Sequence, residues 1–397
     1  MERTGAESQQ STPTSLRELA ALFFRLGATA FGGPAAHIAM MQDEVVRRRK
    51  WLSDERFLDM LGATNLIPGP NSTEMAIHIG YERAGWRGLL VAGASFIVPA
   101  TLITALFGWA YVRFGALPDV AWLLYGVKPV ILAVVVQAIW GLAPKAARTT
   151  SLRILAVLSI IAAWMGIHEL AVLFGAGAVT ILGHFFRRDS KNGTSTSSAL
   201  VLSLAPIATT TAATSFSLNS LFWVFFKAGA LLFGSGYVLL AFLRADIVER
   251  FGWLTEAQLV DAIAVGQVTP GPVFTTATFI GYVLAGPVGA SVATSAIFLP
   301  AFVFVALSGP LVPRLRKSAT AAAFLDGVNV ASLALMAVVT AQLGRAAMVD
   351  VVTVVLGLTS AVVLVRWKPN STWLVLGGAA LGWIAHAVGI VGIWGGQ

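Results

Sequence analysis

The sequence predicts an all-α polytopic membrane protein, built as an inverted tandem repeat of two helical halves with broken or re-entrant Pro-Gly-Pro helices. Three observations predict it. The 397-residue chain is 57% apolar and only 12% charged, with a mean hydropathy of +0.79, where soluble domains run near a quarter charged. A Pro-Gly-Pro segment occurs twice, at 68–70 and 270–272, a shift of 270 − 68 = 202 residues. The Lys/Arg bias of the loops reverses between the halves.

Composition sets the frame for each element. The length fits roughly ten spans of about 20 residues with short loops. The first fifteen residues are polar and lack the basic-then-apolar order of a cleavable signal peptide, so the spans themselves carry insertion. A net charge of +8 reads as loop Lys/Arg held on the cytoplasmic side rather than as a nucleic-acid surface. The chain has no cysteine, which excludes disulfides and thiolate metal ligands and leaves the compartment open.

The repeat runs through both halves. A shift of 202 aligns Phe24-Arg25 with Phe226-Lys227, Phe31-Gly32 with Phe233-Gly234, and Trp51-Leu52-Ser53 with Trp253-Leu254-Thr255. Past the break one residue is lost, and a shift of 201 aligns Gly80-Tyr81 with Gly281-Tyr282, Pro99 with Pro300 and Gly126 with Gly327. The organisation expected is a polar tail over 1–17, a first repeat over 18–186, a linker over 187–217 and a second repeat over 218–397. Apolar segments lie near 18–42, 57–80, 88–112, 121–143, 152–167 and 169–186, then near 219–243, 259–284, 286–308, 323–345, 348–366 and 371–394. The stretch 199–215 is apolar but too rich in threonine to assign.

Ser53 and Thr255 precede acidic residues and read as N-caps, so a helix starts just after each Trp. Pro-Gly-Pro then removes two backbone donors and breaks it. Broken backbone is tolerated at depth only when buried or facing a wet cavity. If the first-half segment returns to its own side, Arg47 to Lys50, Arg56, Arg83, Arg87, Lys145, Arg148, Arg153, Arg187, Arg188 and Lys191 all share one face, as the positive-inside rule requires. In the second half the clusters move to Arg314, Arg316 and Lys317 and to Arg366 and Lys368. The halves are therefore expected upside-down relative to one another, with about five crossings and one re-entrant element each. The Gly breaks at Gly32-Gly33-Pro34 and Gly234-Ser235-Gly236 leave open that the first segment is itself a hairpin.

The matched Arg25 and Lys227 lie within apolar segments, where a cation is costly unless paired or wet and marks function by default. Two cations near a pseudo-two-fold axis suit an oxyanion. Each break should restart a helix whose free amides and hydroxyls can replace an anion's hydration: Pro68, Gly69, Pro70, Asn71, Ser72 and Thr73 in one half, Pro270, Gly271, Pro272, Thr275 and Thr276 in the other, flanked by the Asn65 and Gln267 amides. Gly69 and Gly271 let the backbone come close. Glu74, matched by Thr276, is the expected proton carrier. Asp59 and its copy Asp261 are expected near an interface; Glu44 and Asp246 are expected to pair with Arg47 or Arg244. A salt bridge across the pseudo-axis is drawn from Lys128, whose copy is Asn329, and Asp326, whose copy is Tyr125. His37 and His78 read as hydrogen-bonded packing residues. No metal-ligand spacing, phosphate loop or nucleophile elbow appears, so no cofactor is expected and the chain reads as a secondary carrier rather than an enzyme.

On Phe24-Arg25-Leu26-Gly27 with Phe31-Gly32-Gly33-Pro34, on 65–71, and on Phe226-Lys227-Ala228-Gly229 with 267–272, the chain resembles the chromate ion transporter family in its long, two-domain form, from about residue 18 to 394. The resemblance implies chromate export across the bacterial inner membrane, driven by the proton motive force and giving chromate resistance, with sulfate as competitor; a homodimer is the candidate assembly. The second half departs from the first at Gly236 and Val273, where the first has Pro34 and Asn71, so unequal contributions are expected. Rival readings are a sulfate or other oxyanion uptake carrier and, from another class, an intramembrane enzyme or a scaffold.

Overall fold

The computed structural model describes residues 14–30, 33–64, 66–115, 118–189, 216–232, 239–367, 369 and 371–388. Those residues hold fourteen α-helices and no strand. The first half contains α1 (Leu16–Thr29), α2 (Gly33–Gln42), α3 (Asp54–Thr64), α4 (Asn71–Phe114), α5 (Pro118–Ala146), α6 (Thr150–Trp164) and α7 (Glu169–Asp189). The second repeats them as α8 (Leu218–Leu231), α9 (Leu239–Leu243), α10 (Glu256–Val268), α11 (Thr276–Lys317), α12 (Ala319–Ala347), α13 (Val351–Trp367) and α14 (Ser371–Ala387). The linker expectation falls mostly on 190–215, outside the described residues, and α7 runs on to Asp189.

The capping reading of the sequence is visible at α10, where the Thr255 hydroxyl accepts from the Gln258 amide and the Gln258 side chain reaches back to Thr255. Helices α2 and α9 continue into π-helical turns, Asp43–Arg48 and Arg244–Arg250, closed by matched bonds from the Arg49 amide to the Glu44 carbonyl and from the Phe251 amide to the Asp246 carbonyl, both 2.9 Å. Such turns are rare and concentrate at functional sites.

Among the described residues five helices contain stretches long and apolar enough to cross a membrane, α4 and α11 among them. Both of these reverse direction inside. Ala84 and Gly85 leave helical geometry, Gly85 at φ 60°, and Ala285 and Gly286 do the same, Gly286 at φ 59°. A Cβ built on Gly80 would lie 2.3 Å from the Gly88 carbonyl oxygen, and one on Gly281 2.3 Å from that of Gly289. Eight residues of straight helix would hold those positions about 12 Å apart. Each helix is therefore a hairpin with a short arm (71–83; 276–284) and a long arm (86–114; 287–317). A long arm of that length spans about 43 Å, enough to cross.

Re-entrance follows from the contacts. Arg56 at the start of α3 pairs with Glu82 at the end of the short arm at 2.8 Å, and Arg83 donates to the Trp51 carbonyl at 3.1 Å. So α3 enters, breaks at Pro-Gly-Pro, and the short arm returns to the same face. The first apolar segment does likewise. Arg49 meets Glu18 at 2.7 Å, and Arg25 meets Glu44 at 2.6 Å, which folds the α2 segment back along α1. Lys227 pairs with Asp246 in the same relation in the second half. The hairpin left open for the first segment is the alternative these contacts support, so each half holds two re-entrant hairpins where the sequence reading counted one.

The halves are inverted. Tyr111, near the far end of the long arm of α4, donates to Asp261 in α10 at 2.9 Å, and a Cβ on Gly108 would lie 2.8 Å from the Tyr282 Cβ. The second hairpin's mouth therefore opens on the face opposite the first hairpin's mouth. The long arms run antiparallel, Gly93 against Phe302. The first face holds Trp51, Arg56, Arg83 and the Arg148–Asp326 pair; the second holds the mouth of α10 and the Tyr125–Asp350 bond.

The core is packed across the repeat. Within each half the first helix lies on its long arm, with Gly27 against the Phe96 carbonyl and Gly229 against that of Ile297. Between halves, α13 and α14 pack on α5 while α6 and α7 pack on α12. Small residues allow this closeness, Gly126 against Gly378 and Gly327 against Ala176. Replacing Gly80 or Gly281 with Val should force the arms apart and destabilise the protein by about 1–3 kcal/mol. A thermal melt in detergent checks this, with Gly141→Ala, which has open space around it, melting like the parent.

Candidate functional site

The tips of the two Pro-Gly-Pro hairpins are stitched into the opposite half by matched backbone bonds. The Gly69 amide donates to the Leu232 carbonyl at 2.7 Å, and the Gly271 amide donates to the Ala30 carbonyl at 2.9 Å. Leu232 and Ala30 are equivalent, each capping the first helix of its half. Gly69 sits at φ 140° and Gly271 at φ 86°, a region that favours glycine. A Cβ on Gly69 would lie 2.3 Å from Glu74 Oε1; one on Gly271 would lie 2.5 Å from the Ala100 Cβ and 3.0 Å from the Gly27 carbonyl oxygen.

Downstream of each break a helix restarts. The Thr73 and Glu74 amides donate to the Pro70 carbonyl and the Thr275 amide to that of Pro272. The second restart opens with a 3₁₀ turn, Val273–Thr275. The amino-terminal turn of each restarted helix carries the positive end of the dipole. Thr275 and Thr276 turn their hydroxyl protons to the carbonyls of Pro272 and Val273. Ser72 and Thr73 are buried, and among the described residues the Thr73 hydroxyl and the Gln267 side-chain nitrogen have no hydrogen-bond partner. Pro68 and Asn71 are half-buried, while Pro70, Pro270 and Pro272 are buried. Asn65 lies outside the described residues.

Glu74 is fully buried, and neither carboxylate oxygen has a hydrogen-bond partner among the described residues. It occupies the end of the first tip, against Gly69. The two halves are not equal around the tips. Thr104 donates to Thr269 at 3.4 Å, whereas the equivalent positions, Val305 and Ile67, share an apolar cluster.

The matched cations are held in ion pairs of their own hairpins. Arg25, half exposed, meets Glu44, which also receives Arg48 and Arg49. Burial works against ionisation of Glu44, but Arg25, Arg49 and Arg48 hold its carboxyl below the usual carboxylate range. Lys227 pairs with Asp246, with Glu169 of the first half at 3.7 Å and Arg250 on the other Asp246 oxygen at 3.8 Å. Arg25 stands five residues before Ala30, about 7.5 Å along the helix. The structure thus docks each break on the end of the opposite half's first helix and sets each cation more than one turn back from that end.

Several pairings differ from the sequence reading. Glu44 and Asp246 pair with Arg25 and Lys227 rather than with Arg47 and with Arg244, which instead binds Glu249 and Glu256. The π turns carry the acids round to face the cations; the signal was the common spacing, 44 − 25 = 246 − 227 = 19. Asp261 is deeply buried against Lys128 and Tyr111, while its copy Asp59 is exposed. Lys128 pairs with Asp261 and Asp326 with Arg148, so both do bridge the halves, to partners the repeat alone did not identify. His37 bonds the Ala30 carbonyl at 3.0 Å and sets its edge on Phe96.

Two inverted copies, each docking its broken-helix tip on the other half's first helix inside a bundle of apolar helices, define a membrane transport protein of the inverted-repeat class. Comparison with known proteins agrees. The family model described as "Chromate transporter" matches twice, over residues 17–181 and 219–383. The chain is 34% identical to a chromate transport protein of Cupriavidus metallidurans over 95% of both chains. It is 32% identical to a probable chromate transport protein of Synechococcus elongatus, over 89% of this chain and 90% of that one, and 30% identical to a chromate transport protein of Pseudomonas aeruginosa, over 94% and 93%. No solved structure matches the chain. The protein belongs to the chromate transporter family.

Gly69→Ala and Gly271→Ala should each cost about 1–3 kcal/mol, from a strained φ and a lost close approach. Melting temperature in detergent measures this. The double variant should lose no more than the sum if the two tips are independent, and a coupling of about 0.5 kcal/mol or more is expected because both stitch the same interface.

Proposed function

We propose that this protein exports chromate across the bacterial inner membrane as a secondary transporter, coupled to the proton motive force, and so confers chromate resistance. The observation that carries the reading is the matched pair of tip bonds, Gly69 to Leu232 and Gly271 to Ala30. They set two helix amino termini at the heart of an inverted repeat, in a chain whose relatives are named for chromate transport. A tetrahedral dianion suits such termini, with Thr73, Gln267, Asn71 and Ser72 replacing its hydration and the Thr275 and Thr276 hydroxyls joining them by turning from the Pro272 and Val273 carbonyls. Arg25 and Lys227 draw the anion in from opposite faces, each exchanging its carboxylate partner for substrate oxygens.

The first face gathers the loop Lys/Arg residues and faces the cytoplasm by the positive-inside rule. A negative-inside potential drives a dianion outward, with each charge worth about 2.3 kcal/mol per 100 mV. Glu74 is the proton carrier of this reading. Buried beside the break with no polar partner among the described residues, its carboxyl is costly to ionise when dry and free to ionise once water reaches it. Sulfate, of like shape and charge, competes at the same place.

Chromate uptake into inverted membrane vesicles tests the reading. The parent should accumulate chromate when energised, with sulfate inhibiting. Arg25→Ala and Lys227→Ala should each lower the rate by about tenfold or more, since a cation–dianion contact is worth at least about 1.4 kcal/mol. Glu74→Gln should retain potential-driven flux and lose its response to a pH gradient. Flux only in right-side-out vesicles would favour an uptake carrier instead.

A further inference from the structure

The two Pro-Gly-Pro hairpins are copies in sequence but not in surroundings. Helix α10 packs against α5, α12 and α14 as well as α11, whereas its copy α3 packs against α4 and α11. Single positions show the difference. Val260 is 1% exposed in the residue profile of α10's buried face, while its copy Leu58 is 57% exposed. Asp261 is 3% exposed, and its copy Asp59 lies in the open.

On the covered side Asp261 joins three elements. It accepts the Tyr111 hydroxyl from the long arm of α4 at 2.9 Å and meets Lys128 Nζ of α5 at 3.1 Å. The copies of Lys128 and Tyr111 are Asn329 and Val312, so the second half cannot build the same cluster around Asp59. We infer that Asp261, Lys128 and Tyr111 form the gate that closes the second face, and that this structure is the conformer open toward the first. The inference rests on the transport reading above and adds to it the residues that hold one side shut.

Inverted symmetry supplies the other conformer. There α3 seats against α12 and α5 with Leu58 covered, and α10 swings away with Asp261 in water. The ion pair is strong while dry and weakens as water enters. Reaching the opposite state therefore means breaking Lys128–Asp261, and Asp59 meets only Asn329 in exchange. The chain is biased toward closure of the second face by residues that duplication did not preserve.

The cysteine-free chain makes the test direct. Leu58→Cys and Val260→Cys are placed singly in the full-length protein, reconstituted with known orientation, and treated with a membrane-impermeant maleimide without chromate. Leu58→Cys should react from the first face and Val260→Cys should be protected. Adding Lys128→Met or Asp261→Asn should raise Val260→Cys labelling from the second face by about tenfold, within the range of coupling between conformers. The exchanged pair, Lys128→Asp with Asp261→Lys, should restore protection, which separates a broken gate from a misfolded protein. Equal labelling of the two cysteines in the parent, or labelling that none of these changes moves, would overturn the gate. Because labelling needs no substrate, a failed pattern with intact chromate flux removes the gate alone, and an intact pattern without flux removes the substrate assignment alone.

Discussion

Everything in this fold depends on satisfying broken backbone inside a membrane. A lipid environment offers no water to an unpaired amide, so a helix can be interrupted at depth only where protein supplies the missing partner. Here each partner comes from the other half. The Gly69 and Gly271 amides reach the carbonyls of Leu232 and Ala30, and those carbonyls are free because α8 and α1 end there. Each half completes the other's interruption, which ties the duplication, the inversion and the glycines into one arrangement. A side chain at either glycine would meet Glu74 or Ala100 before the bond could form.

Around that centre the two copies have diverged in charge. Both keep a cation on the first helix and an acid on the π turn, so Arg25–Glu44 and Lys227–Asp246 are one device in two orientations. The first copy surrounds its acid with three arginines; the second adds Glu169 from across the interface. Fully buried Glu74 has no acidic copy. Asp261 is held by two first-half groups, Lys128 and Tyr111, whose copies in the second half are Asn329 and Val312. A carrier needs two states of nearly equal energy, and inverted copies provide them. Unequal residues then set which state is favoured.

Much of the fold was legible in the residues. The 202-residue shift exposed the duplication, Pro-Gly-Pro fixed where helices break, and the migration of Lys/Arg clusters gave the inversion that the Tyr111–Asp261 and Gly108–Tyr282 contacts display. What stayed hidden was what depends on three dimensions. The Gly32-Gly33-Pro34 break did not say whether the chain bends or reverses. The π turns at Glu44 and Asp246 leave no composition signature, so neighbouring arginines looked like the natural partners. Reversals at Gly85 and Gly286 fall at the boundaries between apolar segments read from the sequence, 57–80 and 88–112, then 259–284 and 286–308, but how closely the arms pack was not readable there. Asp59 and Asp261 are equivalent by sequence, and only the conformation separates an exposed carboxylate from a buried one. At the candidate site the sequence pointed to the right backbone segments, while the setback of Arg25 and Lys227 from the tips came from helix geometry.

The two hairpins enter the bundle from opposite faces. Single cysteines at the equivalent mouth positions, Glu55→Cys and Ala257→Cys, in sealed vesicles of one orientation test it most directly. The account predicts that an impermeant thiol reagent outside the vesicles labels one of them and, applied from within, only the other. Labelling of both from the same side would contradict the inverted repeat and everything built on it.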